Sequence, residues 1–160
     1  MERKKVIIST DGACSGNHLP GLQPGGWAAI LRFGKNMKEI AGFVPSTSNN
    51  RMEMQAVIEG IARLKMPCDV TIRTDSQVVC NAIANLENRA KNEWKTKTGA
   101  TCANVDLHKR IYELKHAGDH QLRYEYVEGH SGDEDNERCD FLAQKAIRTK
   151  GEPPEVSNGL

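Results

Sequence analysis

The chain has 160 residues, 38% hydrophobic and 27% charged, and its 22 basic and 21 acidic side chains leave a net charge of +1. That length predicts one domain with its own core, and near-neutral charge with this apolar content excludes a disordered chain. The charge balance also excludes a protein that grips polyanions by bulk charge, and no apolar run approaches the ~20 residues of a membrane span.

A strand is predicted over Lys4–Thr10 on Val6, Ile7 and Ile8, a second over Trp27–Phe33, and a third over Lys38–Val44 after a Gly-Lys-Asn-Met turn. From Arg51 to Leu64 the residues Met54, Val57, Ile58, Ile61 and Leu64 recur at helical spacing, with Ser48 or Asn49 available as a cap. A strand at Val70–Thr74 follows, then a helix from about Ser76 to Leu86 and a polar stretch to about Asn104. A helix from Asp106, a strand at Leu122–Val127 and a helix at Asn136–Arg148 complete the order β-β-β-α-β-α-α-β-α. A hairpin meander beside helix-linked strands requires a mixed sheet with helices on its faces, so the fold class is α/β. Gly151–Leu160 joins turn formers to little apolar content. Residues 1–150 are therefore expected to form the domain and 151–160 a flexible tail.

After Met1-Glu-Arg-Lys-Lys come only Val6, Ile7 and Ile8, which predicts neither signal peptide nor anchor. The five cysteines (14, 68, 80, 102, 139) are odd in number and at least twelve residues apart, so neither a disulfide framework nor a Cys-x-x-Cys zinc site is expected. A reducing cytoplasm is the expected compartment.

Two predicted strands end in the same way, Ile8-Ser-Thr-Asp11 and Ile72-Arg-Thr-Asp75. An acid at the exit of a core strand needs a partner or a cation, although either Asp can instead serve the turn or helix that follows it. Glu53, in the predicted first turn of its helix, and Asp140, beside Cys139, flank apolar stripes; each alone can be an acid favoured by the helix dipole. Together the four carboxylates repel unless divalent cations neutralise them, and an all-oxygen set suits Mg²⁺ or Mn²⁺ rather than Zn²⁺. Such a set can hold two ions ~4 Å apart, an arrangement suited to phosphodiester hydrolysis. The acidic run Asp133–Arg138 lacks the glycine of a calcium loop. His130 lies in Glu128-Gly-His-Ser-Gly132; it is either a solvated surface histidine or a proton shuttle on a glycine-flanked loop.

Five phrases in order, Thr10-Asp-Gly-Ala-Cys-Ser-Gly-Asn17, Thr47-Ser-Asn-Asn-Arg-Met-Glu53, Thr74-Asp-Ser-Gln77, Asn104-Val-Asp-Leu107 and Gly129-His-Ser-Gly with Asn136-Glu-Arg-Cys-Asp140, resemble ribonuclease H type 1 of the bacterial single-domain kind. The agreement runs from Lys4 to Arg148. It implies the ribonuclease H-like fold, with a five-stranded mixed sheet flanked by helices. It also implies an endonuclease that cuts the RNA strand of RNA/DNA hybrids with two Mg²⁺ (or Mn²⁺) ions and little sequence specificity, leaving 5′-phosphate and 3′-hydroxyl ends. By position, Asp11, Glu53, Asp75 and Asp140 match the metal-binding carboxylates and His130 the mobile histidine. Cys14, Asn17, Asn49, Asn50 and Gln77 match positions facing the hybrid's minor groove, and Ser48 and Asn104 positions that hold a DNA phosphate. Each of these has turn chemistry or capping as its plainer role.

Residues 86–103 fall where many members carry a basic, tryptophan-rich protrusion that binds the hybrid; here they carry net +2, with Trp94 the sole aromatic. Weaker or more salt-sensitive hybrid binding is the expectation, and acidic Glu128, Asp133, Glu134 and Asp135 push the same way. Another nuclease of the same superfold and a hybrid-binding module with a silent site remain as alternatives. A monomer is the default.

Overall fold

Apolar and β-branched residues dominate the first third of the chain, and there the computed structural model forms a meander of β1 (Lys4–Cys14), β2 (Gln23–Phe33) and β3 (Asn36–Thr47). The structure describes residues 2–16, 19–151 and 156–158, the last for backbone pairing alone. β1 pairs antiparallel with β2, and β2 with β3. A parallel neighbour for β1 needs a crossover, which α1 (Asn49–Ala62) supplies on its way to β4 (Cys68–Thr74). A second crossover through α2 (Gln77–Ala84), α3 (Leu86–Lys91) and α4 (Val105–Ala117) leads to β5 (Gln121–Tyr126), parallel to β4. α5 (Glu134–Thr149) follows.

The five expected strands form a mixed sheet in the order β3-β2-β1-β4-β5. A three-residue strand, β6 (Val156–Asn158), pairs antiparallel with Met37–Glu39 at the β3 edge, so part of the segment read as a tail lies along the sheet. The larger core joins Val6, Ile8, Ala29 and Leu31 of the sheet to Met54, Val57, Ile58 and Ile61 of α1. A smaller one on the opposite face sets Ala28 and Ile30 against Cys139, Leu142 and Ala143 of α5. The sheet is thus sandwiched, with α1 and α5 contributing apolar stripes to its opposite faces.

Two expectations about element ends are corrected. β1 does not stop at Thr10; its pairing with β4 ends at Ser9 opposite Arg73, while its ladder with β2 continues through Asp11 opposite Ala28 to Cys14 opposite Gly25. Asp11 therefore sits inside a strand, where β1 has parted from β4. Helix α1 starts at Asn49 because the Ser48 hydroxyl accepts the Arg51 N–H, so Glu53 falls in the second turn and the dipole explanation for it weakens. The polar stretch after Leu86 also contains α3, which sequence reading missed.

Candidate active site

The three elements that converge on the carboxylates do so for local reasons. Asp11 is carried by β1, 5% exposed, with one carboxylate oxygen accepting the Gly12 N–H at 2.9 Å. Glu53 is 6% exposed on α1, whose backbone presses against β1 so closely that a Cβ on Gly12 would stand 2.3 Å from the Glu53 nitrogen. Only glycine lets the two carboxylates approach in this way. Asp75 follows the end of β4. Ser76 takes the capping role there, its hydroxyl accepting the Val79 N–H at 3.2 Å, so Asp75 is not the cap of α2.

Carboxylate oxygens of Asp11, Glu53 and Asp75 all lie within 4.8 Å of one another. Asp140, half-buried on α5, stands outside that close group, but its charge helps raise the Asp11 carboxyl. Burial first, and the Asp75 charge next, push Asp11 up to about 7. Burial and then the Asp11 charge push Glu53 up to about 10. Both shifts report negative charge held together out of water. Glu53 Oε1 is buried with no hydrogen-bond partner among the described residues, which is a position for a cation rather than for a satisfied core acid. An all-oxygen donor set of this kind fits a hard divalent cation. Behind the site Cys139 is fully buried, its thiol donating to the Ser9 carbonyl at 3.3 Å, which seats α5 against β1.

His130 is exposed and left-handed (φ 57°) on the loop after β5. That loop backs directly onto the site: a Cβ on Gly129 would meet Asp75 Oδ2 at 2.8 Å. The histidine is thus one residue from a backbone that touches the carboxylate group.

Most of the other expected residues lie at the ends of strands and helices. Cys14 is half-buried, its thiol within 3.7 Å of the Gln23 carbonyl and 3.6 Å of the Thr47 carbonyl. Ser48 caps α1, half-buried Asn49 and exposed Asn50 open it, and exposed Gln77 opens α2. Asn104 precedes α4 in a left-handed conformation (φ 55°). Asn17 lies outside the described residues. Trp94, also left-handed, does not stand free: it packs edge-on against Tyr112 at 5.7 Å, on the margin of the main core.

Sequence reading missed several residues. Arg51 grips Asp106 with two hydrogen bonds (2.9 and 2.7 Å) and donates to Asn104 Oδ1 at 3.3 Å, clasping the start of α1 to the start of α4. Its place inside the motif Asn49-Asn-Arg-Met-Glu53 was the available signal. Beside Asn50 and Asn104 opens a groove of about 590 Å³, lined further by Asn81, Asn85, Asn88 and Asn92 and by the cations Arg89, Lys95 and Lys97. Asp133 and Asp135, expected to repel nucleic acid, are held by Arg73 at 2.8 Å and Arg32 at 2.6 Å, which compensates their charge. These pairs, with Arg138 on buried Glu39 at 2.8 Å, pin the N-terminal half of the helix that carries Asp140.

Comparisons with known proteins place the chain in a family. The family model described as RNase H matches residues 3–148. Ribonuclease H of Chlorobium phaeovibrioides is 48% identical over 149 residues, covering 92% of this chain and 98% of that protein. Ribonuclease H of Nitratidesulfovibrio vulgaris is 46% identical over 98% of this chain and 97% of its own. Among solved structures, LC9-RNase H1, described as a type 1 RNase H with the type 2 active-site motif, superposes with a TM-score of 0.83 at 25% identity over 99% of this chain and 80% of that one. LC11-RNase H1 in complex with an RNA/DNA hybrid shares the fold, with a TM-score of 0.67 at 21% identity over 91% of this chain and 98% of that one. With the match spanning both the meander and the helix that bears Asp140, the chain belongs to the ribonuclease H family.

Proposed function

We propose that this protein is a metal-dependent endonuclease that hydrolyses the RNA strand of RNA/DNA hybrids, acting as a cytoplasmic monomer with Mg²⁺ as its ion. The observation that carries the reading is the buried trio Asp11, Glu53 and Asp75 with an orphaned Glu53 oxygen, in a chain of this family. Divalent ions, when bound, supply the Lewis acidity that activates a water and stabilises the departing 3′-oxygen. Asp11, Glu53, Asp75 and Asp140 are the residues that hold them. Their rigid strand and helix mounts keep the carboxylates in place without reorganisation at each turnover. His130 moves a proton at its imidazole nitrogen, on a loop whose Gly129 backbone packs closely against Asp75.

Substrate choice follows from neutral polar groups rather than charge. Cys14, Asn17, Asn49, Asn50 and Gln77 face the minor groove, where amides can test for 2′-hydroxyls and remain indifferent to base identity. Ser48 and Asn104 seat a phosphate of the DNA strand, with Arg51 positioning Asn104. The asparagine-lined groove with Arg89, Lys95 and Lys97 continues that path, with half-buried Trp94, next to Lys95 in sequence, as an aromatic surface for the hybrid.

An end-labelled hybrid incubated with Mg²⁺ and with EDTA, beside single-stranded RNA, duplex RNA and duplex DNA of the same sequence, tests the proposal. Metal-dependent internal cuts confined to the RNA of the hybrid are expected. Equal attack on the other duplexes would remove the 2′-hydroxyl reading, and no attack on any would leave a binding module.

A further inference from the structure

The edge strand β5 carries more aromatic surface than the core takes up. Side chains alternate along a strand, so Leu122, Tyr124 and Tyr126 share one face. Leu122 packs against the larger core, on the α1 side of the sheet, whereas Tyr124 and Tyr126 stay 46% and 48% exposed. Neither tyrosine has a hydrogen bond, ring contact or cation contact among the described residues. Phe141, equally exposed, is by contrast covered by the guanidinium groups of Arg138 and Arg148, 5.3 and 5.9 Å from its centroid. The charges of β5 lie on its other face: Glu125 is taken up by Arg73 at 3.4 Å, and Arg123 has no ion pair among the described residues.

Tyr126 adjoins the carboxylate group. It stands opposite Thr74 in the β4 ladder, one residue before Asp75, and the next N–H, that of Val127, donates to the Thr74 carbonyl at 2.8 Å. The same strand runs on into the loop whose Gly129 backbone packs against Asp75. In the order β1-β4-β5 the rings are therefore the surface that follows Asp11 and Asp75 across the sheet. Along β5 the two tyrosines are ~6.6 Å apart, about twice the ~3.4 Å repeat of stacked bases, which leaves room for one base between them. Every base offers a π face, so such a slot takes single strands without regard to sequence, and the unpaired Arg123 suits a phosphate passing the edge. A base inside the hybrid is already stacked and paired and has no need of it. We propose that Tyr124 and Tyr126 bind an unpaired nucleotide of the RNA strand just outside the hybrid. The inference rests on the nuclease reading and adds to it a preference for RNA that leaves the hybrid as a single strand.

The test compares hybrids of one sequence: blunt, with a short single-stranded RNA extension at either end of the RNA strand, and with a DNA extension on the DNA strand. KM about fivefold lower for an RNA-extended hybrid than for the blunt one is expected, with kcat little changed and no gain from the DNA extension. Tyr124→Ala/Tyr126→Ala alters two exposed side chains, so the core stays intact; it should remove the gain and leave blunt-hybrid kinetics as in the parent. Tyr124→Phe/Tyr126→Phe should keep the gain, because the rings and not the hydroxyls stack. In EDTA, where nothing is cut, 2-aminopurine as the first unpaired RNA base should be quenched by the parent and not by the alanine variant. Equal KM for blunt and RNA-extended hybrids, a gain that survives the alanine variant, or an equal gain from the DNA extension would each overturn the inference and leave the nuclease reading in place. Absence of cutting on every substrate would remove the nuclease reading itself, and the quenching would then decide whether the slot binds RNA.

Discussion

Asp11 shows how far a single residue's role can be read from its neighbours in sequence. The twin Thr-Asp strand endings marked Asp11 and Asp75 as acids where apolar residues belong, and that reading needed only the residue types. What it could not supply was the Glu53 geometry, because the helix start is set by a Ser48 hydroxyl bond, and the apolar stripe alone put that start two residues later. The structure adds a consequence for stability. Raised folded values mean that the folded, metal-free protein binds more protons than the unfolded chain between the ordinary carboxylate range and about pH 7 for Asp11. Metal-free stability therefore falls as pH rises through that window. Asp11→Asn removes one of the clustered charges. It should abolish hybrid cleavage while retaining hybrid binding, and raise the metal-free melting temperature near pH 8 by about 2–4 °C for each kcal/mol of repulsion relieved. Thermal unfolding in EDTA at acid and alkaline pH checks this, and an unchanged pH slope in the variant would count against the buried-charge account.

Elements carry the contacts that no local pattern announces. α3 was missed because Leu86 is its only buried residue; it is held by Glu87, which meets Lys115 at 2.9 Å and His116 at 3.1 Å across on α4. Trp94, on a left-handed backbone, meets Tyr112 across eighteen positions of sequence, a contact that no local pattern announces. Arg51 and Asp106, fifty-five positions apart, are equally invisible to periodicity. The clasp they make is exposed, with Asp106 at 61%, and so contributes no more than about 1 kcal/mol to stability. Its effect belongs to substrate: Arg51→Ala should raise KM for hybrid severalfold with kcat nearly unchanged, since Asn104 loses its positioning partner but the carboxylates do not. Steady-state kinetics separate the two, and a fall in kcat alone would argue against phosphate seating. The groove makes a parallel case. If Lys95 and Lys97 each contact a phosphate, the double alanine variant should flatten the slope of log affinity against log salt by up to about 2, measured by fluorescence anisotropy on a hybrid.

For the molecule as a whole, the order of elements along the chain and the helices on the sheet's faces were legible because the main strands and helices carry their own apolar patterns, whereas the order of strands within the sheet and the long-range charge balance were not. Two buried histidines oppose the carboxylate trend. His120, 5% exposed, accepts the Cys68 N–H on Nδ1 at 3.1 Å, joining the starts of β4 and β5, and burial holds its pKa below the ordinary 6.5. Burial lowers His108 likewise, followed by the charge of Arg89. A lowered folded value means that the unfolded chain binds the proton more readily, so this part of the stability is present above about pH 6.5 and is lost as pH falls through the folded values. Without metal, the histidines and the carboxylates pull in opposite directions below pH 7 and the melting profile should be shallow. Millimolar Mg²⁺ cancels the carboxylate repulsion by binding the folded state, leaving the histidine trend exposed. Melting temperature should then climb from about pH 5 to about pH 7 with Mg²⁺ and change little over the same range in EDTA. His120→Gln, which can still accept the Cys68 N–H through its amide oxygen, should flatten the Mg²⁺ profile and leave its high-pH end nearly unchanged. A variant profile as steep as the parent's would locate the acid sensitivity outside the β4–β5 junction, in the groove beside His108.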